Sequence, residues 1–291
     1  MTRSERDHVL VGLIGEGIGR SLAPLLHQRE ADRQGIRLLY TTIDSHRWSL
    51  DAGDLPAVLH WAQVLGFRGL NVTYPFKQEI IPYLDELSPE ASEVGAVNTV
   101  VFEGGRSRGY NTDWAGFRRG FEREFATAPR QSVVQLGAGG AGSAVAHAML
   151  GLGAVHLTVV DVNVDKAKQL ANTLAGVFGP QRISAGAIED LEGLLAAAQG
   201  VINATPVGMA HHPGSPIPEP CLRSDLWVAD IVYRPTDTAL LRVARAVGAR
   251  TLNGGGMNTF QAVEAFERFT GATADVEAML ADSAELLALD L

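Results

Sequence analysis

The sequence predicts an α/β protein of two domains, the second built on a doubly wound parallel sheet. Three observations support this prediction. The chain has 291 residues, which is long for a single domain. Patterns typical of strands and helices alternate along it, as in folds with parallel sheets. An apolar run at 133–136 ends in a glycine-rich turn that leads into a helical pattern, and the next apolar run ends at Asp161.

The first part of the chain alternates between apolar strand patterns and amphipathic helix patterns. Strands are predicted at 8–14, 38–43 and 69–73, helices at 22–34 and 55–64, and short helical segments at 80–84 and 89–94. The runs 97–102 and 108–110 flank Glu103-Gly104-Gly105, which is typical of a hairpin. A helix at 114–125 then connects this part to the second domain.

From about Gln131 the alternation becomes regular. Strands are predicted at 133–136, 157–160, 182–184, 200–204, 227–231 and 250–252, with helices at 145–152, 166–178, 191–198 and 240–247. Such alternation predicts a parallel sheet of the Rossmann type, with ligands at the carboxyl ends of its strands. The chain from Met257 onward is helical by pattern, and we expect it to return to the first domain. The expected domains are therefore 1–113 with 257–291, and 114–256.

The glycine-rich turn has the pattern of a dinucleotide-binding motif. Gly137 permits a tight turn, Gly139 lets the backbone approach a pyrophosphate, and Gly142 allows helix and strand to pack closely. Free N–H groups at the start of the following helix favour phosphate charge. The sequence therefore predicts a dinucleotide at this turn. The alternative is a tight turn in a parallel sheet without a ligand.

Asp161 bears on the choice of cofactor. It lies about 20 residues beyond the turn, where a carboxylate accepts hydrogen bonds from a ribose 2′-OH. A carboxylate there would repel the 2′-phosphate of NADP, and Lys166 is the only nearby cation, close to Asn163 and Asp165. We therefore expect NAD, with NADP less favoured. The alternative is that Asp161 caps the helix that follows.

Composition excludes several classes of function. The net charge is −9 and no basic cluster occurs, so nucleic acid is not an expected partner. Cys221 is the only cysteine, which excludes an intrachain disulfide and a cysteine metal cluster, and we expect no metal. No apolar run reaches about 18 residues, so no membrane span is expected. The start of the chain lacks an apolar signal core, which favours a cytoplasmic location.

A lysine and an aspartate are the candidate catalytic groups. Thr73 and Lys77 follow the strand at 69–73, about one helical turn apart, and Asp113 ends a polar segment. Lys77 would take a hydroxyl proton as hydride leaves the same carbon, while Asp113 would orient the ammonium and bind a neighbouring hydroxyl. The alternatives are a solvated first-turn lysine and an N-cap of the helix that begins at Trp114.

Several short polar and glycine-rich segments are spread over nearly the whole chain. They are Asn71-Val72-Thr73-Tyr74-Pro75-Phe76-Lys77, Gly95-Ala96-Val97-Asn98-Thr99, Tyr110-Asn111-Thr112-Asp113, Gly137-Ala138-Gly139-Gly140-Ala141, Asn203-Ala204-Thr205-Pro206-Val207-Gly208-Met209, Asp230-Ile231-Val232-Tyr233-Arg234-Pro235, and Gly256-Met257 with Gln261. In these segments and in their order the chain resembles the shikimate dehydrogenase family, and most closely its quinate/shikimate branch.

The resemblance implies an α/β substrate domain, a Rossmann nucleotide domain and a C-terminal helical return. It implies a reversible, NAD-dependent oxidation of the ring hydroxyl of quinate or shikimate to 3-dehydroquinate or 3-dehydroshikimate, in the shikimate pathway. Lys77 would be the acid–base group and Asp113 its partner. The substrate residues would be Ser21 and Tyr233 for the carboxylate, and Thr73, Asn98 and Gln261 for the ring hydroxyls. The cofactor residues would be Gly137, Ala138, Gly139, Gly140, Ala141, Asp161, Asn163, Lys166, Asn203, Ala204, Thr205, Gly254 and Met257.

Simpler interpretations of three of these residues stay open. Asn203 would cap a strand end, Tyr233 would serve packing, and Gln261 would face solvent on its helix. Two further functions also stay open for the chain as a whole. One is an NADP-linked dehydrogenase of the same family, and the other is a catalytically weak nucleotide-sensing module. The sequence does not define the oligomeric state, and a homodimer is one of the states left open.

Two positions separate this chain from other members of the family. The family carries Ser-x-Ser/Thr-Pro near its start, whereas this chain reads Ser21-Leu22-Ala23-Pro24. Ala23 removes a hydrogen bond to the substrate carboxylate worth about 1.5–3 kcal/mol, for which Arg20 would compensate unless it faces solvent. The substrate thus stays open among quinate, shikimate, an amino-substituted relative and another cyclic polyol acid. Asp161-Val162-Asn163 stands where NADP-using members carry Asn-Arg-Thr/Ser, which again favours NAD.

Overall fold

The computed structural model describes residues 8–289. Residues 1–7, on which the expectation about a signal segment depends, lie outside the described residues, as do residues 290 and 291. The chain forms two compact α/β units, one of Met1–Thr112 with Thr259–Leu291 and the other of Asp113–Asn258. Within the described range, no helix combines the length and the apolar character that crossing a membrane requires.

Each unit is built around a six-stranded sheet. The strands are β1 (His8–Gly15), β2 (Arg37–Asp44), β3 (Gly69–Val72), β4 (Glu86–Leu87), β5 (Thr99–Glu103), β6 (Arg106–Tyr110), β7 (Ser132–Leu136), β8 (His156–Val160), β9 (Ile183–Gly186), β10 (Gly200–Asn203), β11 (Trp227–Asp230) and β12 (Thr251–Leu252). The α-helices are α1 (Ala23–Arg33), α2 (Ser45–Trp48), α3 (Leu55–Val64), α4 (Phe76–Glu79), α5 (Pro89–Val94), α6 (Asp113–Phe125), α7 (Gly140–Gly151), α8 (Val164–Phe178), α9 (Leu191–Ala197), α10 (Ala239–Ala246), α11 (Gly255–Thr270) and α12 (Val276–Ala288).

The sheet of the first unit has the order β2-β1-β3-β5-β6-β4. The pairs β1–β2 and β1–β3 are parallel, whereas β3–β5 and β5–β6 are antiparallel. The predicted hairpin is confirmed, and its turn places Gly104 and Gly105 at positive φ, where glycine is favoured. The mixed sheet therefore brings the ends of β1 and β3 to one edge, beside the segment that enters β5.

Helices cover both faces of this sheet. Leu59 of α3 packs with Ile14 and Leu70 on one face. On the other side Leu26 of α1 packs with residues of α11 and α12, such as Phe266 and Met279. The predicted return of the C-terminal helices to the first unit is thus confirmed.

The sheet of the second unit is entirely parallel and has the order β12-β11-β10-β7-β8-β9. One face packs against α6, α7 and α8, and the other against α9 and α10. The order reverses between β7 and β10, so ligands are expected outside the carboxyl ends of these two strands. The predicted doubly wound sheet is confirmed, and the glycine-rich turn lies at this switch point.

The structure differs from the predicted elements in a few places. The helix predicted at 80–84 is a single turn at Ile81–Tyr83, and a separate helix, α4, precedes it. The helix predicted at 145–152 begins earlier, at Gly140, because the last glycines of the turn form its first helical turn. The short strand β4 and the short helix α2 were not predicted, since two to four residues are too few to give a periodic pattern.

His27 makes the stability of the protein sensitive to acid. Its ring is fully buried against Tyr40, Phe266 and Phe269, Nδ1 donates to the Ala23 carbonyl at 2.8 Å, and Nε2 has no partner. Burial lowers the pKa of His27 from 6.5 to about 4, although the bond to Ala23 opposes the shift. Between these pH values the unfolded chain binds a proton that the folded chain excludes, so stability falls as the pH drops below 6.5.

We expect the His27→Leu variant to lose less stability than the wild type between pH 7 and pH 5. The difference should be about 2 kcal/mol, because the wild-type histidine must stay neutral in the folded state. Urea unfolding at the two pH values measures it. His60→Gln, at an exposed histidine of α3, serves as the control and should follow the wild type. Equal pH dependence in the wild type and His27→Leu would contradict the expectation.

Candidate functional site

Thr73 and Lys77 lie just beyond the carboxyl end of β3. The Thr73 N–H donates to the Ile14 carbonyl at 2.9 Å, and the Thr73 carbonyl accepts from the Phe76 N–H at 2.9 Å, which starts α4. A Cβ on Gly15 would come within 2.2 Å of Thr73 Cγ2. The ends of β1 and β3 are therefore packed so closely that only glycine fits at position 15, and the Thr73 turn is held in place.

Lys77 lies on α4 and is half-buried. The Val97 N–H donates to the Lys77 carbonyl at 2.7 Å, which ties this helix to the segment leading into β5. Asn98 is the next residue along that segment. The fold thus places the backbone of Lys77 beside that of a second candidate residue, and the side chain is not the fully solvated lysine of the simpler interpretation.

Asn98 is buried, and its amide is oriented by its neighbours. Its Oδ1 accepts from the Thr112 N–H at 2.7 Å and from the Thr99 hydroxyl at 3.2 Å, while its Nδ2 donates to Thr112 Oγ1 at 2.9 Å. Thr112 Oγ1 also lies 3.5 Å from Oε1 of Gln261 on α11. These bonds identify which end of the Asn98 amide is nitrogen. They link Asn98 to Gln261 through Thr112, so Gln261 is not simply a solvent-facing residue of its helix.

A second layer of buried polar groups supports Asn98, and sequence reasoning missed it. The Tyr40 hydroxyl donates to Asn71 Oδ1 at 2.7 Å, and Asn71 Nδ2 donates to Thr99 Oγ1 at 3.0 Å and to the Asn98 carbonyl at 3.3 Å. Burial raises the pKa of Tyr40, so its hydroxyl keeps the proton that it donates. The available signal was a polar residue, Asn71, inside the apolar strand β3.

Ser21 follows a single helical turn at Ile18–Arg20. Its Oγ accepts from the Ala23 N–H at 3.3 Å, which leaves the hydroxyl proton available to another acceptor. The loop before it is held by Asp44, whose carboxylate accepts from the N–H groups of Gly17 and Ile18 at 3.2 and 3.1 Å. Desolvation raises the pKa of Asp44, but bonds from backbone N–H groups outweigh it, and the pKa lies below its usual value. Sequence reasoning did not single out Asp44.

Asp113 and Tyr233 belong to the second unit. Asp113 is buried and is itself the first residue of α6, one position further into the helix than an N-cap residue. Tyr233 follows β11 and is partly buried. Burial raises the pKa of Tyr233, while the charge of Arg234 lowers it and that of Asp113 raises it. The Tyr233 phenol therefore stays neutral and can donate a hydrogen bond to an anion.

The glycine-rich turn has the shape that a dinucleotide requires. Gly137 has a φ of +101°, and a Cβ on it would lie 2.5 Å from the Ala204 carbonyl oxygen. A Cβ on Gly142 would lie 2.3 Å from the Gly137 carbonyl oxygen, whereas a Cβ on Gly139 would meet no atom within 4 Å. Gly139 is the N-cap of α7 and supplies no side-chain cap, so the first N–H groups of this helix are available to an anion.

Asp161 bonds to the glycine-rich turn. Its Oδ2 accepts from the Ala138 N–H at 2.8 Å, and its Oδ1 accepts from the Asn163 N–H at 2.8 Å. The N-cap of α8 is Asn163, whose side chain accepts from the N–H groups of Asp165 and Lys166. The interpretation of Asp161 as the helix cap is therefore wrong. Each carboxylate oxygen keeps a lone pair for a further donor.

The four residues that directly follow Asp161 carry no positive charge. Val162 is 90% exposed at the position where NADP-using members of the resembled family carry arginine. Lys166 is exposed on the first turn of α8, with the acidic Asp165 directly before it. The chain thus offers an exposed aliphatic side chain directly after the Asp161 carboxylate.

Asn203 is fully buried, and protein groups use its whole amide. Nδ2 donates to the Val207 carbonyl and to Asp230 Oδ1, both at 2.9 Å, while Oδ1 accepts from the N–H and the hydroxyl of Thr205 at 3.0 and 2.6 Å. Asn203 therefore shapes the turn at 204–207 that packs on Gly137, in keeping with the strand-end interpretation. Burial raises the pKa of Asp230, although bonds from Thr238, Val232 and Asn203 oppose the shift.

Gly254 and Met257 line a pocket of the second unit, close to the end of β11. Phe117, Asp230 and Leu252 also line it. A Cβ on Gly254 would lie 2.2 Å from the Ile231 carbonyl oxygen, so this loop needs a glycine to pack against the strand end. In the described part of the chain, no group of three or more His, Cys, Asp or Glu side chains is arranged to hold a metal ion.

The two units thus carry different parts of the predicted site. The first unit holds Ser21, Thr73, Lys77, Asn98 and Gln261, of which the structure links Asn98 to Gln261 and places Lys77 beside Asn98 in the backbone. The second unit holds Asp113, Tyr233 and all the predicted cofactor residues. Within it, Ala138 is bonded to Asp161, and Gly137 packs against Ala204.

Comparison with known proteins gives two family matches. Residues 13–100 match the shikimate dehydrogenase substrate binding domain, and residues 133–241 match the saccharopine dehydrogenase NADP binding domain. The chain is 54% identical to a shikimate dehydrogenase (NADP(+)) of Streptomyces avermitilis over 281 residues, which is 97% of each chain. It is 44% identical to a quinate/shikimate dehydrogenase (NAD(+)) of Corynebacterium glutamicum over 274 residues, 94% of this chain and 97% of that one.

A solved structure agrees with these matches. Quinate dehydrogenase from Corynebacterium glutamicum in complex with NAD superposes with a TM-score of 0.91 at 43% identity, over 98% of this chain and 100% of the other. The identity, the coverage and the order of the motifs lead to one assignment. The chain is an oxidoreductase that belongs to the shikimate dehydrogenase family.

Proposed function

We propose that the protein reversibly oxidises a ring hydroxyl of a cyclic polyol carboxylate, quinate or shikimate, with NAD as hydride acceptor. The observation that carries this proposal is the oriented amide of Asn98, which hydrogen bonds link through Thr112 to Gln261. The Asn98 carbonyl accepts from the N–H of Val72, directly before Thr73, and the N–H of Val97, directly before Asn98, donates to the Lys77 carbonyl. Relatives named for shikimate and quinate dehydrogenation support the substrate class. The ring hydroxyls of the substrate are assigned to the first unit and the nucleotide to the second.

The substrate residues suit a ring that carries several hydroxyls. Asn98 Oδ1 is occupied by Thr112 and Thr99, and one hydrogen of Nδ2 is directed to Thr112, so the other Nδ2 hydrogen is left for a substrate hydroxyl. Thr73 and Gln261 add groups that both donate and accept. Ser21 and Tyr233 would donate to the carboxylate.

Lys77 would move the proton. A bound nicotinamide supplies the chemistry of accepting hydride from the ring carbon. Lys77 Nζ would take the proton of the hydroxyl on that carbon, and it would return the proton in the reverse direction. Asp113 directly follows Thr112 in the chain and would orient the Lys77 ammonium, as the family resemblance implies.

Charge supports NAD at the nucleotide site. Asp161 presents a carboxylate beside the glycine-rich turn, Val162 adds no charge, and Asp165 stands before Lys166. A 2′-phosphate would meet the Asp161 carboxylate without an arginine to offset the repulsion. The Streptomyces relative is named for NADP(+) and the Corynebacterium relative for NAD(+), so NADP is the second candidate.

We expect Asp161→Ala to reduce the preference for NAD over NADP about tenfold, since a hydrogen bond to a charged group is worth about 1.5–3 kcal/mol. The ratio of kcat/KM for the two cofactors measures the effect. Because Asp161 also holds the Ala138 N–H, Asp161→Asn is a useful second variant that keeps an acceptor for this bond. Glu192→Ala, at an exposed acid of α9 in the same unit, is the control. Unchanged selectivity in Asp161→Ala would exclude Asp161 as the residue that reads the ribose.

We expect Ala23→Ser to lower the KM for the acid substrate about tenfold, because it restores a hydroxyl donor to the carboxylate. Ala23 starts α1, where serine is tolerated, and the backbone N–H of residue 23, which donates to Ser21 Oγ, is kept in the variant. Ala31→Ser, on the buried side of the same helix, would control for effects on folding. A KM that does not change, or that rises, would mean that the carboxylate is bound elsewhere.

The test of the whole proposal is reduced-nicotinamide formation from quinate or shikimate, each with NAD and with NADP. Turnover of either acid with NAD at higher kcat/KM than with NADP is the expected result. Faster turnover with NADP would replace the cofactor assignment, and nucleotide binding without turnover would favour the sensing module. The cytoplasmic location and the homodimer stay predictions, for which cell fractionation and light scattering are the measurements.

A further inference from the structure

Gln135 is a fully buried polar residue in the apolar strand β7. Its Nε2 donates two hydrogen bonds, to the Gly137 carbonyl at 2.9 Å and to the Gly142 carbonyl at 2.8 Å. Its Oε1 is buried without a partner. One amide nitrogen therefore joins the two ends of the glycine-rich turn, while the unpaired amide oxygen costs free energy that an apolar residue of the same size would not cost.

Two hydrogen bonds, one from Gln135 and one to Asp161, set the direction of the peptide unit between Gly137 and Ala138. The C=O and N–H of a trans peptide unit point in opposite directions. The Gly137 carbonyl points inward to Gln135, while the N–H of the same peptide unit, at Ala138, points to Asp161. This unit is thus held from both sides, by an amide and by a carboxylate.

Given the nicotinamide dinucleotide of the proposed function, we infer that Gln135 is a positioning residue for its pyrophosphate. Carbonyl oxygens repel phosphate, whereas N–H groups attract it. Gln135 keeps the Gly137 carbonyl oxygen directed inward, and its bond to the Gly142 carbonyl fixes the turn to the first residues of α7, so that the N–H groups at the start of this helix face the phosphate position. Without the amide, the Gly137 peptide would be free to rotate and present its oxygen to the phosphate.

The test is a titration of the protein with NADH in the absence of acid substrate, in which the fluorescence of NADH reports binding. Gln135→Leu and Gln135→Met both remove the amide and keep a side chain of similar size. We expect each to raise the Kd for NADH and the KM for NAD about tenfold, the effect of losing about 1.4 kcal/mol. The kcat at saturating NAD and the KM for the acid should stay within about twofold, because Gln135 touches neither the acid site nor Lys77.

Val133→Ala is the matched control. Val133 lies two residues before Gln135, on the same face of β7, and its apolar side chain is buried and makes no hydrogen bond to the turn. It should lower Tm and leave the Kd for NADH unchanged, which is the behaviour of a purely structural residue. Wild-type Kd in both Gln135 variants would overturn the inference and leave the proposed function intact. If the wild type binds neither NADH nor NADPH, both the inference about Gln135 and the proposed function are wrong.

Discussion

Replacing Lys77 with alanine should lower kcat by at least about 10²-fold, the range for loss of a positioned acid–base group. The substitution removes the group that we propose takes the hydroxyl proton, and it lies outside the second unit, which carries the nucleotide turn. The Kd for NADH should therefore stay within about twofold of the wild-type value. Initial rates with quinate or shikimate and NAD, together with nucleotide titration, measure the two quantities.

The residue next to Lys77 provides the control for this prediction. Gln78 is exposed on the same short helix α4, so Gln78→Ala disturbs the helix equally without removing a candidate catalytic group. It should keep near wild-type kcat and Tm. A Lys77→Ala variant with full turnover would remove Lys77 from the mechanism. A variant in which kcat and Tm fall together, with Gln78→Ala falling alike, would instead indicate damage to the α4 segment.

Much of the fold could be predicted because its signals are local and periodic. The parallel sheet of the second unit follows from alternating strands and helices, and the tight turn at Gly137 follows from glycines at positions where a Cβ would collide with the backbone. The hairpin across Gly104-Gly105 follows from the same kind of reasoning. Short elements such as β4 (Glu86–Leu87) escape it, since two residues have no periodicity.

The buried hydrogen bonds around Asn98 could not be predicted, because they join residues that are far apart in the chain. Tyr40 reaches Asn71 across 31 positions, and Thr112 approaches Gln261 across 149. Composition and spacing carry no information about which buried hydroxyl meets which amide. Sequence reasoning also failed locally, at the N-cap of α8. Asp161 and Asn163 are both good cap residues, and only the structure shows that Asn163 takes the helix N–H groups.

We expect Gly139→Ala to have the largest effect on nucleotide binding, although it adds only a methyl group. This residue has φ −76° and ψ −174°, which alanine adopts without strain, and a Cβ there meets no protein atom within 4 Å. Gly139→Ala should therefore keep its free energy of unfolding within about 1 kcal/mol of the wild-type value. If the pyrophosphate lies against this backbone, the methyl group occupies its place, and the Kd for NADH should rise at least about tenfold.

Gly142→Ala is the matched comparison, because it places the same methyl group inside the protein. Alanine favours the helix by about 0.5–1 kcal/mol, yet its Cβ would lie 2.3 Å from the Gly137 carbonyl oxygen. The turn must shift, and both Tm and NADH affinity should fall, with an overpacking cost of about 1–3 kcal/mol. Comparing the two variants separates distortion of the turn, expected in Gly142→Ala, from a direct clash with the pyrophosphate, expected in Gly139→Ala. Wild-type NADH affinity in a stable Gly139→Ala would mean that no phosphate lies against this glycine, whatever Gly142→Ala does.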